Sequence, residues 1–160
     1  MRHCNRSLIV LMLLLAGCHV VREIENVRCN LPYQLRDAQL SYYRDHLSFR
    51  VSDPVRGLNN ARIVPDTLLL KDGSGKRFTV NVSEVSAASE RSSHSAPETE
   101  KMTRREFAFK LPIPESESYA LPEGNYSLSF SLANQGSVFP LECRFSVVDR
   151  TKDFSPGTFH

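Results

Sequence analysis

Tyr126-Ser127-Leu128-Ser129-Phe130-Ser131-Leu132 alternates bulky apolar side chains with serines. A helix would scatter these groups around its axis, whereas an extended chain turns successive side chains to opposite faces. The stretch therefore predicts a strand with Tyr126, Leu128, Phe130 and Leu132 facing a core and the serines facing out. The same period runs upstream through Phe107, Phe109, Leu111 and Ile113, and downstream through Leu141, Cys143, Phe145 and Val147.

Outward from these runs the pattern persists. Segment 38–52 carries Leu40 and Tyr42, then Leu47, Phe49 and Val51. Arg44-Asp45-His46 between them reads either as a tight turn or as part of one long strand. Thr67–Lys71 and Phe78–Ser83 flank Asp72-Gly73-Ser74-Gly75, the spacing and chemistry of a β-hairpin. Val27, Cys29 and Leu31 predict a first strand that Pro32 ends, while Asp53-Pro54 and Gly57-Leu58-Asn59-Asn60 interrupt the pattern. Residues 84–105 are rich in Ser, Glu and Ala without sustained periodicity and predict a mobile loop that folding does not require. Residues 150–160 predict a flexible tail. About seven short strands, with hardly any helical period, predict an all-β fold, a single antiparallel β-sandwich over residues 27–149.

Leu121-Pro122-Glu123-Gly124-Asn125-Tyr126-Ser127-Leu128 resembles the Leu-Pro-x-Gly-x-Tyr-x-Leu run that opens a late strand in immunoglobulin-like and transthyretin-like modules. The resemblance implies an immunoglobulin-like sandwich and gives Gly124 and Tyr126 structural roles. There a turn delivers a tyrosine whose ring packs inward while its hydroxyl bonds nearby backbone, a tyrosine corner. It covers about ten residues and implies architecture, not activity.

Leu13-Leu14-Leu15-Ala16-Gly17-Cys18 closes an apolar run that begins at Leu8 and follows Arg2 and Arg6, the three parts of a secretory signal over residues 1–17. It resembles the lipobox of bacterial lipoprotein signal peptides. The resemblance implies cleavage before Cys18, a diacylglyceryl group on its thiol, and a further acyl chain such as palmitate on the freed amino group. Two or more chains hold a protein stably to a membrane. His19, in place of an aspartate, implies the outer membrane, with the folded part in the periplasm and residues 18–26 as a lipidated tether. A transmembrane anchor needs roughly 20 apolar residues, more than this run offers. An ordinary secretory signal with an incidental cysteine is the other reading.

Cleavage would remove Arg2 and Arg6 and no acidic residue, so a chain with 20 basic and 18 acidic residues becomes formally neutral. A nucleic-acid footprint needs a clustered basic excess, and no nucleic-acid partner is expected. Of four cysteines, Cys4 leaves with the signal and Cys18 takes the lipid, so Cys29 and Cys143 remain. An even pair in an exported chain, both on apolar strand faces, predicts a disulfide; two separate buried thiols are the alternative.

Chemistry-bearing motifs are sparse. His19, His46, His94 and His160 fall in the tether, a turn, the loop and the last position, so no metal site is expected. Ser83, Ser86, Ser89, Ser92, Ser93 and Ser95 lack a Gly-x-Ser-x-Gly elbow, and Glu115 and Glu117 read as solvated. No cofactor is expected. Tyr42, Tyr43 and Phe139 are core and edge aromatics or, if exposed, anchors of a binding patch. The expected function is a non-catalytic interaction or assembly module, anchored to the membrane through Cys18 and binding another envelope protein. An accessory of a secretion or other envelope machine is a narrower form of it, and an envelope hydrolase or small-ligand carrier is the alternative from another class.

Overall fold

The computed structural model describes residues 19–33, 35–53, 58, 60–85, 89–92 and 101–152. These form β1 (His19–Asn30), β2 (Arg36–Tyr43), β3 (His46–Asp53), β4 (Arg62–Asp72), β5 (Arg77–Phe78), β6 (Asn81–Val85), β7 (Ser89–Ser92), β8 (Lys101–Lys110), β9 (Gly124–Asn134) and β10 (Ser137–Lys152). One sheet runs β1-β10-β9-β4-β5 and the other β2-β3-β8-β6, with β7 pairing β8 off that path. The fold is the expected all-β sandwich, with more strands than anticipated. By compactness the chain divides into Arg22–Val148, which holds the core, and a smaller unit of Met1–Val21 with Asp149–His160.

The alternating runs become the inward faces. Leu47, Phe49, Val51, Phe107 and Phe109 of one sheet and Leu128 and Leu132 of the other are fully buried. The Phe130 ring lies between two rings of the opposite sheet, with centroids 5.1 Å from Phe49 and 5.5 Å from Phe109. Offset and edge-on ring contacts add to the area such residues bury, so Phe130 links the two layers.

Local chemistry explains where the strands depart from expectation. Residues 19–26, expected as tether, are strand. Arg22, Glu23, Ile24 and Glu25 are half-buried, and Ile24 packs on the core. Asn26 has φ of 54°, which breaks the period, so Ile24 and Cys29 both meet the core while Val27 is 37% exposed. The expected hairpin holds through Leu70↔Phe78 and Lys71↔Arg77, closed by an Asp72 carboxylate that accepts from the Ser74 N–H, the Ser74 hydroxyl and the Lys76 N–H. Beyond Phe78 the chain leaves that sheet and pairs as β6 with β8 in the other, leaving Val82 39% exposed.

In β4, Pro65 has no N–H to offer a ladder, and pairing with β9 slips between Val64 and Leu69. The Thr67 hydroxyl spans the gap: it donates to Val64 O at 2.7 Å and accepts the Ser131 N–H at 2.7 Å. Part of segment 84–105, expected as a loop, is paired, since Ser89–Ser92 lies against Lys101–Arg104 and β8 starts at Lys101. Ladder bonds need no apolar period, so the sequence hides this pairing. Residues 86–88, 93–100 and 153–160, with the rest of that loop and of the expected tail, lie outside the described residues.

Candidate functional site

Arg44-Asp45 is the tight turn between β2 and β3, and Arg44 has φ of 54°. A non-glycine residue pays about 1–2 kcal/mol in that left-handed region, and the surroundings hold it there. Arg44 O accepts the Ala120 N–H at 2.9 Å, and Asp45 O accepts the Leu111 N–H at 2.8 Å. The buried Tyr42 hydroxyl donates to Arg44 O at 2.8 Å and accepts the Leu121 N–H at 3.0 Å. Burial pushes the Tyr42 phenol above its ordinary 10.0, so the hydroxyl stays a donor into alkaline solution.

Arg22 of β1 joins this cluster. Its guanidinium donates to Leu121 O at 3.0 Å and lies 5.3 Å from the centroid of the Tyr119 ring, itself 6.5 Å from that of Tyr42. Arg22, the β2–β3 turn and residues 111–121 thus share one end of the sandwich. Tyr43 is 79% exposed at this end, where Arg44, Lys110, Pro112 and Pro114 are exposed as well. Asp45, Glu115 and Glu117 make the charge mixed, and Asp45 Oδ1 takes a 2.6 Å hydrogen bond from His46 Nδ1.

Next to this end, on the outer side of the first sheet, lies an open groove of about 540 Å³, lined by Asn26, Asp72, Asn125, Ser127, Glu142 and Arg144 among others. Its polar groups largely serve one another. Asp72 closes its own turn, and hydrogen bonding from Ser74 holds its carboxyl below the usual range. Arg144 donates to Glu142 at 2.8 Å, and the Ser146 hydroxyl to Asn125 Oδ1 at 2.8 Å. On the other sheet Glu106 accepts from the Ser48 hydroxyl and, at 2.7 and 3.2 Å, from Arg50. These bonds, that from Ser48 foremost, lower its pKa.

The residues singled out in the sequence fall as follows. Cys29 and Cys143 are joined, with Cα atoms 4.0 Å apart on neighbouring strands of one sheet. Tyr126 is buried and its hydroxyl donates to Pro122 O at 2.8 Å. Burial and the nearby Asp72 charge push its pKa up to about 12. Gly124 has φ of 154°, a conformation that favours glycine. Tyr42 is core, Tyr43 is exposed and Phe139 is half-buried. Glu115 and Glu117 are exposed, and the Ser83 hydroxyl donates to Ala108 O at 3.1 Å. Cys18, Ser86, Ser93, Ser95, His94 and His160 lie outside the described residues. Among the described residues, no three His, Cys, Asp or Glu side chains converge as metal ligands.

Arg22 and Tyr119 were not singled out from sequence, and Arg44 only as part of a possible turn. Arg22 sits in what reads as tether, and Tyr119 in a proline-bounded loop. No protein-family model, no curated protein and no solved structure matches this chain.

Proposed function

We propose that the protein is a lipid-anchored envelope lipoprotein, acylated at Cys18 and facing the periplasm from the outer membrane, that acts as a non-catalytic interaction or assembly module. The observation that carries this reading is Leu15-Ala16-Gly17-Cys18 at the end of an apolar run. A rigid two-sheet scaffold suits such a role, because its loops and strand edges can meet a partner without rearranging the core. The partner is an envelope protein, reached from a fixed position at the membrane. Feeding labelled palmitate to cells tests the anchor: the wild-type protein should take up label and Cys18→Ser should not. Equal labelling of both would refute it.

A further inference from the structure

We propose that the end of the sandwich carrying Arg22 and Tyr43 rests on the lipid surface, with the Tyr43 ring at headgroup level. The proposal rests on acylation of Cys18. Cys18 precedes Arg22 by four residues, and an extended chain covers at most about 14 Å in that span. Arg22 is no loose continuation of a tether, for its guanidinium is bound to Leu121 O and stacked on Tyr119. Acyl chains buried in the bilayer hold Cys18 at the surface, so the short span to the docked Arg22 brings this end of the fold to the headgroups.

The side chains at this end suit that layer. Tyrosine combines an apolar ring with a polar tip and favours membrane–water interfaces. Tyr43 is 79% exposed, next to a turn that backbone and tyrosine hydrogen bonds hold rigid. Arg44 and Lys110 have long stems that can lie along apolar surface while their charges stay wet. With Asp45, Glu115 and Glu117 at the same end, the charge is mixed. The match is therefore to a mainly zwitterionic surface rather than a strongly anionic one.

A built-in control lies at the far end of β1. Tyr33 is 88% exposed but follows Asn30, which is about 26 Å along the strand from Arg22 at the usual rise. The chain contains no tryptophan, so one introduced indole reports a single position. Full-length acylated Tyr43→Trp and Tyr33→Trp would be reconstituted in phosphatidylethanolamine vesicles containing a minor share of phosphatidylglycerol, with brominated acyl chains as quenchers. The Tyr43→Trp protein should shift its emission to the blue and lose roughly half of it, as for a residue about 5–10 Å into the headgroup–acyl boundary. The Tyr33→Trp protein should emit as in water. If both stay unquenched while the protein floats with the vesicles, acylation stands and the membrane contact is wrong, leaving Tyr43 to a protein partner. Equal quenching of both rules out end-on standing. Protein that does not float overturns the acylation and the contact together.

Discussion

The Tyr42 hydroxyl accepts the Leu121 N–H across 3.0 Å, tying a strand of one sheet to the segment that leads into the central strand of the other. Tyr42→Phe would keep the ring and remove the oxygen. The Leu121 N–H is buried, and a buried donor without a partner costs about 1–3 kcal/mol. Urea unfolding of the soluble domain should show a loss of that size with an unchanged m-value, and no loss would mean that water replaces the hydroxyl.

Phe130 touches Phe49 and Phe109 across the sandwich. Phe130→Ala should cost about 3–5 kcal/mol through lost burial and the cavity left behind, out of the roughly 5–15 kcal/mol of a typical domain. Phe130→Leu, which keeps much of the volume, should cost clearly less in the same thermal melts.

Cys29 and Cys143 are separated by 114 positions. In the chain-entropy account a loop of that length contributes about 4–5 kcal/mol. The Cys29→Ser, Cys143→Ser double variant should melt well below the oxidised protein, and peptide mapping without reductant should recover the two cysteines linked. Free alkylation of both thiols in the native protein would contradict the bond.

Glu106 is held below its ordinary 4.5 by Ser48 and Arg50. Its stabilising contribution is therefore complete above about 4.5 and fades as pH falls through the lower, folded value. Glu106→Gln should be less stable than wild type at neutral pH, and the gap should close on acidification. Its exposure keeps the effect modest. Paired denaturation curves at neutral and acid pH measure it, and a constant gap would assign the loss to packing instead.

The inward faces of β3, β8, β9 and β10 were legible in the sequence because each inner strand buries one face continuously, which enforces the period of two. Val27 misled because Asn26 takes a positive φ, a conformation that no hydrophobic pattern records. Phe78–Ser83 reads as one strand since the change of sheet after Phe78 leaves the alternation intact. β7 was hidden because its pairing is a backbone matter. In the cluster at Arg22, Tyr42 was visible as an apolar position, but its hydroxyl meets an N–H 79 positions away, and periodicity carries no such long-range information.

Among the described residues β1 neighbours β10 alone in its sheet. β1 therefore waits for β10, and its edge stays open while residues 31–136 emerge. Every strand between them can find at least one partner earlier, since β9 and β4, or β3 and β8, are both already made, and only β9 also waits for β10. Completion of the sheet is a terminal event, set by delivery of Ser137–Lys152. A chain cut short before that strand would retain most of the second sheet but leave β1 without its neighbour and Cys29 without its thiol partner. Ordering of β1 thus reports that Ser137–Lys152 has arrived.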